Sequence, residues 1–136
     1  MRLYFTLLLA AVALTANQAQ AEEADADLIA RGAYLGTIMD CAGCHMPRGP
    51  DGAPIFAAGL AGGSIAFEIP GLGTFRPSNP TPHQTGLGGS SGDDIARALT
   101  TGVRPDGRVL APAMSWPSFS ALQDGDLAAL VTQTQR

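Results

Sequence analysis

Apolar residues fall into four patterns along this chain, and each pattern predicts an element. From Leu3 to Leu14 they run almost without interruption. Over Ala26–Met39 they thin out, and Leu28, Ile29, Leu35 and Ile38 recur near helical spacing, which predicts a first helix there. Ile65, Phe67 and Ile69 alternate with small or polar residues, the period of a short strand. Ile95, Ala98 and Leu99, and later Leu127, Leu130 and Val131, each mark one face of a further helix. Ser91, three residues before Asp94, is placed to cap the first of these, and Gly102 to end it. The last helix is expected to start at Asp124 as N-cap, with Asp126 in its first turn. Gly32 interrupts the first helical pattern at a cost of about 1 kcal/mol against alanine. It is either a tolerated surface glycine or the site of a close crossing with another helix, for which the last one is the expected partner.

The opening run is a leader rather than a core element. Arg2 precedes it, polar residues follow it, and Ala19-Gln20-Ala21 forms a small-x-small cleavage site. This is the pattern of a secretory signal peptide over residues 1–21, cut after Ala21. The run falls short of the roughly 18–20 apolar residues that a bilayer span needs, and nothing later in the chain could span a membrane. Residues 22–136 then form one small domain. Without Arg2 that domain carries seven arginines against twelve carboxylates, a net charge of −5, and there is no lysine. Such a balance argues against nucleic-acid binding, which needs a positive patch to engage phosphates.

Eleven of the seventeen glycines lie between Gly49 and Gly92, and seven of the ten prolines between Pro47 and Pro82. Composition alone would make this stretch a flexible linker. Yet Ile55, Phe56, Leu60, Ile65, Phe67, Ile69, Leu72, Phe75 and Leu87 are spread through it, and a solvated linker has no use for them. A segment that wraps an apolar cofactor accounts for both facts, because glycine and proline allow tight turns while the apolar side chains touch the group.

The chain's only two cysteines identify that cofactor. Cys41-Ala42-Gly43-Cys44-His45 is a Cys-x-x-Cys-His motif, the pattern of covalent haem attachment. Each thiol can add to one haem vinyl group, and His45 beside the second anchor can reach the iron from the proximal side. Three alternatives remain. An exported pair of cysteines can form a disulfide. A thioredoxin-like pair needs a strand leading into the motif, whereas the preceding residues look helical. A zinc site would require His83 as a fourth ligand. For the sixth position of the iron, Met39 and Met46 are tethered on the proximal side. Met114 stands in Ala111-Pro112-Ala113-Met114-Ser115-Trp116-Pro117, where prolines on both sides restrict the backbone. It is the expected distal ligand, with His83 as the alternative.

The chain resembles class I c-type cytochromes, and more closely the small cytochrome domains associated with periplasmic alcohol and aldehyde dehydrogenases. The resemblance covers Leu28 to Val131. It is carried by the haem motif, by Arg31-Gly32-Ala33-Tyr34-Leu35 ahead of it, and by Gly71-Leu72-Gly73-Thr74-Phe75 and Asn79-Pro80-Thr81-Pro82 after it. Thr85-Gly86-Leu87-Gly88-Gly89, Gly102-Val103-Arg104-Pro105-Asp106-Gly107 and Leu122-Gln123-Asp124-Gly125-Asp126-Leu127 complete the ordered set. It implies an all-α, cytochrome c-like fold of three or more helices, with glycine- and proline-rich loops round one covalent haem c. It also implies thioethers at Cys41 and Cys44 and axial ligation by His45 and Met114. The chain departs from the family at four places: Ser115 replaces a common proline, His83 an acidic residue, Ser90-Ser91 an aromatic, and the last helix closes on polar Thr132-Gln133-Thr134-Gln135-Arg136. Docking of that last helix is therefore expected to be weaker.

The function implied is outer-sphere electron transfer in the periplasm by a carrier, not an enzyme. Iron cycles between two oxidation states, and a thioether ligand favours the ferrous one. A haem enzyme or gas sensor with an open sixth position is the alternative, and a haem-free thiol–disulfide protein a further one. The expected partners are redox proteins such as a periplasmic dehydrogenase or a terminal oxidase. Arg76, Arg104, Arg108 and the Trp116 indole are candidate partners for the haem propionates, although arginines more commonly serve as plain surface residues.

Overall fold

A computed structural model describes residues 2–136, and side chains from residue 18 onward apart from Ala19. Helix α1 spans Arg2–Ile38, and the short α2, Cys41–His45, follows after a two-residue turn. An irregular stretch then contains one 3-10 turn, Phe56–Ala58, and a hairpin of β1, Phe67–Ile69, with β2, Gly73–Phe75. Helix α3 covers Gly92–Thr101, a second 3-10 turn Pro112–Met114, α4 Trp116–Phe119 and α5 Asp124–Thr134. The all-α expectation holds, with the hairpin as its one piece of sheet. Among the described residues no helix is long and apolar enough to cross a membrane.

Helix α1 starts far earlier than its apolar spacing predicts, at Arg2 rather than Ala26. Ala, Leu, Gln and Glu dominate residues 2–25, no glycine or proline lies among them, and these are good helix formers. The expected cleavage point after Ala21 therefore lies within continuous helix. Met39 falls just beyond the helix end, its N–H still donating to the Leu35 carbonyl at 2.9 Å.

The core sits where α1 crosses α5. Leu35, Ala129 and Leu130 are buried together, with Met39, Leu99 and Leu122 packed on them. Gly32 is at the crossing as expected: a Cβ placed there would stand 2.7 Å from Gln133 Cβ and 2.9 Å from the Ala129 carbonyl carbon. Ala129, outside the predicted stripe, is fully buried, because a closest approach takes a small residue on both helices. Leu127 and Val131 are only half-buried. The N-cap of α5 is Gln123, not Asp124; Asp124 and Asp126 occupy the first turn, where carboxylates face the helix N-terminus favourably. Two ion pairs at the surface join α1 to the two ends of α5. Arg31 Nε donates to Asp126 Oδ1 at 2.8 Å near its start, and Arg136 pairs with Asp25 at its end.

Helix α3 begins on the predicted Ser91–Asp94 capping box, with Ser91 Oγ accepting from the Asp94 N–H at 3.2 Å and Asp94 Oδ2 accepting from the Ser91 N–H at 3.2 Å. It ends on Gly102 at φ 73°, where the Trp116 indole lies so close that an added Cβ would meet Cε2 at 2.6 Å. Gly102→Ala therefore combines a left-handed backbone with overpacking. We expect a loss of about 2–3 kcal/mol, measured as a lower denaturant midpoint. The hairpin is explained by Ile69-Pro70-Gly71-Leu72. Proline suits the second position of a type II turn, Gly71 takes the required positive φ of 80°, and the Leu72 N–H closes the turn on the Ile69 carbonyl at 2.9 Å. Alternation predicted the first strand only.

Candidate functional site

The end of α1 and the start of α2 set the haem motif. Asp40 adopts φ 53°, reversing the chain between the helices, and its Oδ1 accepts from the Gly43 N–H at 3.1 Å, capping α2. Cys41 and Cys44 thus stand one helical turn apart, Cys41 half-buried and Cys44 exposed, both as free thiols. Burial pushes the Cys41 thiol above its ordinary value, and the Asp40 carboxylate and Cys44 push it the same way. The motif follows a helix rather than the strand that a thioredoxin-like pair needs. Among the described residues no three His, Cys, Asp or Glu side chains are grouped to hold a metal ion, as the zinc alternative requires.

His45 is the one buried polar side chain among the described residues, 7% exposed. Its Nδ1–H donates to the Ser78 carbonyl at 2.7 Å. A carbonyl can only accept, so Nδ1 carries the proton and Nε2 keeps its lone pair in the neutral ring. That lone pair faces Met114 Sδ at 3.4 Å. Met114 arrives on the 3-10 turn, with Pro112 at its start and the Met114 N–H donating to the Ala111 carbonyl at 3.0 Å. Ser115 follows at φ 58°, a value proline cannot adopt. Asp40 and Ser115 are the only non-glycine residues with positive φ among those described. One precedes Cys41 and the other follows Met114. Local backbone strain is concentrated at the two ends of the site, as is common where function fixes geometry.

The structure brings Cys41, Cys44, His45 and Met114 to one place from two distant parts of the chain. His83 is exposed, with Nδ1 bonded to Thr85 Oγ1 at 2.8 Å, and its side-chain hydrogen bonds reach neither His45 nor Met114. Beside Cys44 a hollow of about 290 Å³ is lined by Gly43, Met46, Arg48, Gly52, Ile65 and Phe67. Ile65 and Phe67 on its wall are 52% and 38% exposed. The apolar part of this wall suits a flat group tied to Cys44, the hollow itself touches neither His45 nor Met114, and an imidazole nitrogen and a thioether sulfur are donor types that can hold iron. At 3.4 Å the two donors stand too close to hold a metal between them, so joint ligation would need the Met114 turn to move outward. Of the residues considered for propionates, Arg76 donates to the Ser64 carbonyl at 3.0 Å, Arg108 is paired with Asp106 at 2.7 Å, and Arg104 lies 3.9 Å from the same carboxylate. The Trp116 indole N–H is taken by the Leu110 carbonyl at 3.3 Å.

Three carboxylates lie below their ordinary range: Asp94 through its hydrogen bonds from Ser91, Asp106 through Arg108, and Asp126 through Arg31. A depressed folded-state value contributes stability above the unfolded value, about 3.9 for aspartate, which is lost as pH falls through the folded one. The denaturant midpoint should stay flat from neutral pH to about 5 and drop below about 4. Asp94→Asn should make that acid limb shallower.

No family model matches the chain. It is 36% identical over 120 residues to the cytochrome c subunit of a quinone alcohol dehydrogenase from Gluconobacter oxydans (strain 621H), covering 88% of this chain and 23% of that protein. It is 40% identical over 110 residues to the gluconate 2-dehydrogenase cytochrome c subunit of Pantoea cypripedii, covering 80% and 23%. It is 39% identical over 103 residues to the fructose dehydrogenase cytochrome subunit of Gluconobacter japonicus, covering 75% and 20%. The chain is a c-type cytochrome, related to the cytochrome subunits of dehydrogenases. It spans less than a quarter of the length of these relatives.

Proposed function

We propose that this chain carries single electrons on one covalent haem c, bound through thioethers at Cys41 and Cys44 and ligated by His45 and Met114. The observation that carries this reading is the pair of lone pairs, His45 Nε2 and Met114 Sδ, facing each other at 3.4 Å. With Nδ1–H donated to the Ser78 carbonyl, Nε2 is the ring atom available to a metal, and a metal bound there would be a Lewis acid that both donors can share. Bound there, iron supplies a reversible one-electron couple, and a thioether sixth ligand raises its potential relative to a second histidine. The chain's own part is to hold both donors in both oxidation states. α2 and Ser78 fix the imidazole, and the proline-braced 3-10 turn fixes the sulfur.

The relatives' names support a dehydrogenase as the donor (each is a cytochrome subunit of one), while a terminal oxidase as acceptor draws no support from them. Residues 1–21 act as a signal peptide and residues 22–136 as the periplasmic cytochrome domain. The exported protein should then begin at Glu22 when its N-terminus is sequenced. Covalent attachment is tested by haem staining after denaturing electrophoresis, with the protein made in a host that matures c-type haem. Wild type keeps the stain and a Cys41→Ser/Cys44→Ser variant loses it. A stain that survives both substitutions overturns the attachment.

A further inference from the structure

The hydrogen bond that fixes His45 is made by a backbone carbonyl, so something else must hold that carbonyl in place. Ser78 O and Asn79 N belong to one planar peptide unit, and the orientation of Asn79 therefore sets the direction of the acceptor. The Asn79 side chain is bonded at both ends. Its Oδ1 accepts from the Thr81 N–H at 2.9 Å and from the Thr81 hydroxyl at 2.6 Å, and its Nδ2 donates to Thr85 Oγ1 at 3.1 Å. Gly86 closes on the same residue, where an added Cβ would stand 2.6 Å from the Asn79 carbonyl oxygen. On the other flank the Pro77 carbonyl accepts from the Gly63 N–H at 3.1 Å. The peptide that receives His45 Nδ1–H is thus gripped on both sides, and the side-chain grip is Asn79 alone.

We infer that Asn79 is a positioning residue for the haem iron: through the Ser78 carbonyl it sets the electron density of the His45 imidazole and so tunes the reduction potential. This rests on His45 being the proximal ligand. An acceptor on Nδ1–H makes the ring a stronger donor to a metal at Nε2. A stronger donor stabilises ferric iron over ferrous, which lowers the potential. Releasing Asn79 lets the 78–79 peptide rotate, weakens the bond to His45 and raises the potential. Neither Asn79 nor Ser78 touches the iron's ligand atoms.

The test uses the haem-loaded protein and two readings, the midpoint potential and the solvent-exchange rate of the His45 Nδ1 proton by NMR. Asn79→Ala removes both anchors. It should raise the potential and speed exchange roughly tenfold, the factor that the loss of a typical hydrogen bond produces. Asn79→Ser keeps a neutral acceptor able to reach the N–H two residues on, so it should fall between wild type and alanine on both readings. A folded Asn79→Ala protein with wild-type potential and exchange overturns the inference. If the alanine variant does not fold, the serine variant decides: a rise in both supports the inference, and wild-type values sink it. Failure of the underlying ligation would be visible separately, as a wild-type protein without a low-spin haem spectrum.

Discussion

Met114→Ala is expected to keep the covalent haem and lose the carrier's closed coordination. Cys41, Cys44 and His45 lie on α2 and its end, while Met114 comes from a turn sixty-nine residues further on. Its removal leaves the attachment intact. The ferric protein should lose its weak sulfur-to-iron absorption, turn high-spin or take up an external imidazole, and the ferrous form should bind carbon monoxide. The potential should fall, because a thioether that favours ferrous iron has gone. The same variant separates the carrier from an enzyme or sensor with an open position. Wild-type protein that already binds carbon monoxide freely would show that Met114 does not occupy the sixth site. A Met114→Ala spectrum with two histidine ligands would instead assign the replacement ligand to His83, whose Nδ1 is bonded to Thr85 Oγ1.

The second large effect is on folding. Gly32→Val should destabilise the domain by about 3 kcal/mol, the upper end of what overpacking produces. The atoms that meet the new side chain are the Ala129 backbone and Gln133 Cβ, neither of which can swing away. For a domain whose total stability is on the order of 5–10 kcal/mol, that lowers Tm by roughly 10 °C or more. Gly125→Ala is the control. It lies in α5 with nothing within 4 Å of the added Cβ, and should be neutral or stabilising by up to about 1 kcal/mol through helix propensity. Thermal unfolding followed by circular dichroism distinguishes the two. Equal effects would mean that Gly32 matters only through its helix propensity and not through the crossing.

What could be read from the sequence, and what could not, divides along physical lines. Local chemistry was legible. Cys41-x-x-Cys44-His45 points to haem, Ser91 and Asp94 announce a helix start, and of the two readings of Gly32, a tolerated surface glycine or a close crossing, the structure shows the crossing. Met114 was singled out by its prolines, and only the fold could bring its sulfur to 3.4 Å from His45 Nε2; its part as a ligand is what we propose. The missed features depend on atoms that carry no sequence signature. Ser78 enters the site through its backbone carbonyl, which any residue would supply. Asp40 could be read as polar, but not as the left-handed cap that turns α1 into α2. The cap of α5 is Gln123 with no side-chain hydrogen bond, so Asp124, the better capping residue on its own, drew the expectation one position too far. The pairing of Arg136 with Asp25 lay out of reach of any local reading, because it joins residues 111 positions apart. The early start of α1 was hidden for a different reason: a leader and a helix favour the same residues.

The most direct measurement is the visible spectrum of the purified protein in both oxidation states. His45 and Met114 as joint ligands predict sharp α and β bands on reduction, a weak sulfur-to-iron band in the oxidised form, and no change on adding carbon monoxide. A colourless protein, or a high-spin spectrum that shifts with carbon monoxide, would contradict the account.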